Sequence, residues 1–313
     1  MKTTPRRRLA IIGLTIVGAL VSSVASAPAA ARPDERTPRG STPVQPAADT
    51  RGCGLWWEVL DASLPGLAAV GLTTDQRLIR FKIDRPEFVC TVGVPDLPGV
   101  ETVIGLDHRV QDGRLYGVGS SGGIYVLSTR DAAATKVSQL TVGLQGTSFG
   151  VDFNPAADRL RIISDTGQNL RHNVNPGGTT IADGNLTYPP SSIAAPGLTG
   201  AAYTNNDLDP DTATTLFDID TNLDQVAVQS PANSGQLAAT GKLGVTAGTH
   251  AGFDIYSVVR DGRTVANRAY AVLAGATASG IHTVDLLTGD VDPAGAFHAN
   301  LTVVDLAIPL GQR

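Results

Sequence analysis

Four aspartates stand at matching places in a recurring segment. Asp107 ends IGLD (104–107), Asp152 ends FGVD (149–152), Asp254 ends AGFD (251–254) and Asp305 ends TVVD (302–305). A fifth copy, LTGAAY (198–203), carries Ala202 in that place. Carboxylates repeated around an axis are a ligand set for a hard cation such as calcium, so these four are channel-proximal candidates. The competing reading is architectural: an Asp at a strand end accepts backbone N–H bonds from the following turn, and a repeat copies that cap into each unit. The second reading is preferred, because it explains the recurrence without a ligand.

A second acidic set lies in NNDLDPDTATTLFD (205–218). Asp207, Asp209 and Asp211 alternate, and Asp218 follows eleven residues after the first, which resembles the spacing of a calcium loop. Thr212 stands where the sharp turn wants Gly, and Asp218 replaces the bidentate Glu, so a solvated acidic loop is the preferred expectation. GSSGG (119–123) formally matches G-x-S-x-G around Ser121, but a nucleophile elbow needs strand, turn and helix, and here both flanks read as strand. The five histidines show no spacing that makes a metal pair, which disfavours zinc. His250, with the loops before the repeated inner segments, marks where a channel site would open.

These residues need a scaffold, and the repeat supplies it. LAAVGLTTDQRLIRFKID from Leu67, LYGVGSSGGIYVLSTR from Leu115 and AYAVLAGATASGIHTVDLLTG from Ala269 each read as a β-hairpin. The Asp-ended segment precedes a hairpin, and a fourth short strand follows, as in TKVSQL (135–140) and QLAATGKL (236–243). Four short strands in each step of about 45 to 52 residues predict an all-β fold, a single β-propeller of five four-stranded blades. The register opens with three strands of one blade and closes with LTVVDLAIPL (301–310), so the C-terminal strand is expected to complete the first blade. Gly105, Gly150, Gly200 and Gly252 in the inner segments let neighbouring backbones approach.

The stretches IGLDHRVQDGRLYGVGSSGGIYVLSTR, AAYTNN, TTLFDIDTNLDQVAVQSPANSGQL and AGFDIY resemble an uncharacterised family of exported bacterial proteins, domain-of-unknown-function family 4394. The resemblance spans roughly residues 66–310, with QSPANSGQL (229–237) its most specific piece. It implies one continuous extracellular domain and transfers no activity, substrate or catalytic residue.

The chain ends and composition set the address. Arg6, Arg7 and Arg8, an apolar run from Leu9 to Ala25 and the small residues of 25–31 predict an export signal over 1–31. Residues 32–52, rich in Pro, Arg, Thr and Ala, read as a flexible linker. Residues 53–66, with Trp56 and Trp57, read as an N-terminal lid on the propeller domain of 67–313. Cys53 and Cys90, the sole cysteines, are expected to form one disulfide in an oxidising compartment. Residues 1–31 hold four basic and no acidic side chains, so their removal leaves 20 basic against 29 acidic groups, a formal charge of −9. Such an acidic chain repels phosphate backbones, which excludes nucleic acid as the expected partner.

Three functions remain at this level. The favoured one is a secreted, monomeric, non-catalytic binding or scaffold propeller for an extracellular ligand, cell-envelope polysaccharide or protein, with no stable membrane span after signal removal. The alternatives are a metal-dependent hydrolase or lactonase-like enzyme working in the central channel, and a calcium-stabilised structural protein.

Overall fold

The computed structural model describes residues 52–54, 57, 65–274 and 279–312. The expected export signal, the linker up to Arg51 and most of the lid lie outside the described residues. Everything below concerns the unit formed by residues 46–313.

Local sequence dictates short strands: apolar β-branched and aromatic residues alternate with small ones, and Gly, Asn and Asp punctuate the turns. The first hairpins are β1 (Ala68–Thr73), β2 (Leu78–Lys82) and β3 (Arg85–Gly93). Then follow β4 (Val103–His108), β5 (Leu115–Gly119), β6 (Gly123–Leu127) and β7 (Ala134–Gln139). The next set is β8 (Phe149–Asn154), β9 (Arg159–Ser164), β10 (Asn169–His172) and β11 (Thr180–Ala182). After it come β12 (Leu198–Tyr203), β13 (Leu216–Asp220), β14 (Gln225–Gln229) and β15 (Leu237–Lys242). The chain finishes with β16 (Ala251–Arg260), β17 (Arg263–Ala274), β18 (Ser279–Val284), β19 (Val291–Ala296) and β20 (Val303–Ala307).

Among the described residues these strands form five four-stranded antiparallel sheets, the blades of a propeller. Blade I has the order β20-β1-β2-β3, and blades II to V run consecutively from β4, β8, β12 and β16 as inner strands. The last strand therefore completes the first blade, as the register predicts: Leu72 pairs with Asp305 and Gly71 with Leu306. The closure leaves no open edge between the chain ends within that sheet.

The apolar core is divided. Five clusters of buried side chains lie in the five interfaces between neighbouring blades, as Phe81, Tyr256 and Phe297 do between blades I and V. The inner strands come close at the axis. A Cβ on Gly150 would stand 2.7 Å from the Ala201 nitrogen, and one on Gly252 would stand 2.6 Å from the Asp305 Cα. Glycine is required there by backbone proximity rather than by backbone conformation.

Cys53 and Cys90 are disulfide-bonded, with Cα atoms 5.0 Å apart. The bond fastens the N-terminal segment to β3, where Gly52 bridges Thr91 and the Cys53 N–H donates to the Thr91 carbonyl. Trp57 is fully buried, and the Arg80 guanidinium lies 5.8 Å from its ring centre. Among the described residues no helix is long and apolar enough to cross a membrane.

Candidate functional site

The inner strands have two ends, and chemistry-bearing residues gather at both. Farther along the inner strands in the chain direction stand the four aspartates, each buried. Each reaches across to the backbone of the next blade. Asp107 Oδ2 accepts the Phe153 N–H at 2.7 Å, and Asp152 Oδ1 accepts that of Tyr203 at 3.0 Å. Asp254 Oδ2 accepts the Ile308 N–H at 2.6 Å, and Asp305 Oδ2 accepts that of Leu106 at 2.7 Å. Two also hold the residue that follows them: Asp107 Oδ1 accepts the His108 N–H and Asp305 Oδ1 that of Leu306. The aspartates do cap backbone donors, but the principal cap joins one inner strand to the next. The turn-capping expectation is corrected in that respect. Ala202 leaves the interface of blades IV and V without the corresponding side chain.

Asp107, Asp152 and Asp254 each place a carboxylate oxygen within 4.8 Å of the others. Burial, then mutual repulsion, pushes the carboxyls of Asp107 and Asp152 well above the ordinary range; burial alone does so for Asp254, to about 6. Asp305 is raised in the same way, first by burial. In their neutral form the carboxyls still accept N–H bonds and can share protons among themselves.

The acidic loop is organised differently. Asp207 accepts the Asp209 N–H at 2.9 Å and the Thr264 N–H at 2.8 Å. Asp209 pairs with Arg263, and Asp211 lies 3.8 Å from the same guanidinium. Asn206 holds Ser257 and the Ile255 carbonyl. The loop thus anchors the long β16–β17 hairpin, which extends beyond the strand lengths of other blades. Asp218 is not brought to it. That residue lies on β13, paired in register with Ala201 and Ala227, fully buried, and neither of its oxygens has a hydrogen-bond partner. Burial pushes its carboxyl well up, against the pull of Arg161. Among the described residues the loop's four aspartates do not converge as the axial three do.

Two other sequence features are structural. Ser121 sits in the β5–β6 turn, where its N–H donates to Glu101 Oε1 at 3.0 Å. The QSPANSGQL segment clamps blade III onto blade IV. Asn233 Oδ1 accepts from Arg161 Nη2 at 2.8 Å, and the buried Arg161 also pairs with Asp183 at 2.8 Å.

The other end of the inner strands is open. A recess of about 230 Å³ there receives side chains from all five blades, including Gln76, Thr102, Ser148, Thr199 and His250. A second recess of about 460 Å³ shares Thr147, Ser148, Thr199 and His250 with it and continues toward Asp165, Asn222 and Thr249. Ser148 Oγ lies 2.9 Å from His250 Nδ1, a hydrogen bond between non-adjacent blades III and V. Ser148 is buried, while His250 stands at the exposed rim. Burial of its inner side lowers the imidazole pKa, with the Asp165 carboxylate opposing, so the ring is neutral near pH 7. Ser148 and Asp152 are four residues apart, which puts the mouth about 13 Å from the carboxylate cluster along an extended strand.

Of this group the sequence singled out His250 alone. Ser148 and His250 occupy one repeat position, two residues before the inner-strand glycine, where blades II and IV carry Val103 and Leu198. A polar residue in an apolar repeat position was the available signal. The other histidines play no part in the mouth. His172 bonds Ser138 and Thr180, linking blades II and III, and buried His108 has a pKa lowered to about 4 by desolvation.

The chain is similar to several solved structures, all at low identity. A Bacteroides thetaiotaomicron protein of unknown function is 16% identical, with a TM-score of 0.43, covering 73% of this chain and 55% of that one. A Lactobacillus plantarum protein is 15% identical, TM-score 0.35, covering 74% and 67%. A Bacteroides ovatus protein described as an auxiliary nutrient binding protein is 11% identical, TM-score 0.36, covering 72% and 58%. The chain thus spans about half to two thirds of the length of these structures. No curated protein matches it. The description "Domain of unknown function (DUF4394)" matches residues 77–307, from β2 to the closing strand, and the protein belongs to that family.

Proposed function

We propose that this protein is an exported, monomeric, non-catalytic binding propeller that takes an envelope polysaccharide or protein at the open mouth of its ring. The observation that carries this reading is the division of labour along the inner strands. The mouth gathers hydroxyl and amide groups from all five blades, whereas the axial aspartates are engaged in joining blades. A rigid ring presenting one recess of loop-borne polar groups suits ligand recognition. Export is supported by the character of residues 1–31, and the Cys53–Cys90 disulfide fits an oxidising compartment.

The Ser148–His250 pair favours one competing reading, a hydrolase in which neutral His250 takes the Ser148 proton. Both readings meet in one experiment. Purified protein is offered lactone, ester, glycoside and phosphoester substrates, with and without added calcium, and is used in parallel to capture components of its own cell envelope. The expected result is no turnover above a heat-treated control, together with retention of an envelope component. Turnover abolished by Ser148→Ala would replace binding with hydrolysis at the mouth. Turnover abolished by the double change of Asp152 and Asp254 to Asn, with folding intact, would move the chemistry to the channel.

A further inference from the structure

We infer that the mouth is a site for a neutral, hydroxyl-rich ligand: a saccharide segment without carboxylate, phosphate or sulfate groups. The inference rests on the binding reading above and adds the ligand's chemical class.

Charge decides the class first. Neither recess is lined by a Lys or an Arg. An anionic sugar would lose its hydration there and meet no countercharge. The one lining carboxylate, Asp165, is already occupied: Oδ1 accepts the Thr147 N–H at 3.0 Å and Oδ2 the Thr147 hydroxyl at 2.7 Å. Each of its oxygens is thus engaged by Thr147. The neutral imidazole of His250 adds no charge.

Hydrogen-bonding character decides next. The groups that converge are hydroxyls, two amides and one imidazole, among them Ser148, Thr199, Thr249, Gln76, Asn222 and His250. Hydroxyls and amides both donate and accept, which matches the sugar hydroxyl. The recess nearer blades I and II adds an apolar wall from Leu72, Ile104, Phe149 and Val304, suited to the C–H face of a pyranose ring. The two recesses meet at the Ser148–His250 bond, so a bound chain would lie across that bar with its apolar face on one side and its hydroxyls toward the other. Together they have small-molecule size, enough for one or two sugar residues rather than a folded protein surface.

The test uses the full secreted chain with its disulfide intact. Cellohexaose, maltohexaose, xylohexaose and chitohexaose are titrated by calorimetry against hexagalacturonate as the charged counterpart. At least one neutral oligomer is expected to bind saturably and raise the melting temperature, with hexagalacturonate inert. Ser148→Ala and, independently, Thr249→Ala should each weaken that binding roughly fivefold, the worth of one hydrogen bond. Asp211→Asn, on the exposed loop at the opposite end, should leave it unchanged. Hexagalacturonate binding tighter than every neutral oligomer would overturn the ligand class while leaving binding at the mouth standing. Neutral binding indifferent to both mouth variants, each shown to melt normally, would overturn the site. No binding of any oligomer, with an envelope protein captured in the parallel experiment, would overturn the saccharide inference and keep the binding reading. Cleavage of a bound oligomer, lost in Ser148→Ala, would keep the saccharide and overturn the non-catalytic reading.

Discussion

The two ends of the inner strands are built from the same repeat and are used in opposite ways. At the C-terminal end, Asp107, Asp152, Asp254 and Asp305 are buried and spend their oxygens on backbone N–H groups of the neighbouring blade. At the N-terminal end, Ser148, Thr199 and His250 surround open space, and the Ser148–His250 bond crosses it. Regular repetition serves closure. Departure from repetition serves the mouth, since Ser148 and His250 interrupt a position that is otherwise apolar in blades II and IV. Equivalent Asp residues are therefore weak evidence for a ligand, while a polar exception in an apolar register is the stronger sign.

Loss of ring closure should have the largest effect. Deleting residues 301–313 takes away β20, Asp305 and the N–H of Ile308 that Asp254 holds. Blade I then has three strands and its inner edge is exposed. The expected outcome is insoluble or unfolded protein, read by solubility and circular dichroism. A soluble monomer with unchanged melting would show that the ring does not depend on its last strand.

A single latch is the next largest effect. Asp107→Ala leaves the buried N–H groups of Phe153 and His108 without their acceptor, for a loss of about 2–4 kcal/mol. Chemical denaturation should show it as a lower midpoint with unchanged slope. A loss below about 0.5 kcal/mol would mean that these contacts are incidental to ring stability.

Proton binding should then distinguish the two ends. The axial carboxyls are raised in the folded state, Asp254 to about 6, whereas an unfolded Asp titrates near 4. A raised carboxyl binds its proton more tightly when folded, so its contribution is complete below about pH 4 and is lost as the pH rises through 6 and beyond. Asp254 alone accounts for about 2–3 kcal/mol of that decline by linkage. The melting temperature should fall from pH 4 to pH 8, and Asp152→Asn should flatten the slope. If calcium instead restores stability at pH 8 in the native protein and not in Asp152→Asn, the ring holds a cation.

Much of this architecture was legible. The period, the strand register and the unmatched closing segment determine five blades, because each is a local pattern repeated in one dimension. The disulfide follows from having two cysteines. The axial contacts were only half legible: that Asp107 caps a backbone donor can be read from a strand-end Asp, but its partner Phe153 lies one blade away. The acidic loop was ambiguous by spacing, since three alternating carboxylates look the same whether they wait for a cation or hold Arg263 and Thr264. The mouth was the least legible part. It is assembled from all five blades, and no linear motif contains both Ser148 and His250.

Close approach at the axis predicts a smaller loss. Gly252→Ala places a methyl group 2.6 Å from the Asp305 Cα, so the backbones of β16 and β20 must move apart to admit it. Overpacking of this kind costs about 1–3 kcal/mol. The same change at Gly99, where a Cβ would meet nothing within 4 Å but φ is +68°, isolates the backbone contribution alone. Equal losses at the two positions would remove inter-strand proximity as the reason for glycine in the inner segments.

The mouth residues should contribute least to stability. His250→Ala removes the partner of the buried Ser148 hydroxyl, but the imidazole stands at an exposed rim and the bond is only part-buried. A part-buried neutral hydrogen bond of this kind contributes about 1 kcal/mol. Ser148→Ala should cost as little, because removing the hydroxyl leaves the imidazole free to turn to solvent. In both variants the melting curve should stay close to that of the native chain, and the decline of stability with pH should persist, since the carboxyls that cause it are about four residues further down the strands. A mouth residue that changes stability as much as Asp107→Ala would make the mouth part of the closure machinery, and the opposition between the two ends would fail. Retained stability with lost capture of an envelope component is the combination expected when the rigid end and the recognising end are separate parts of one strand set.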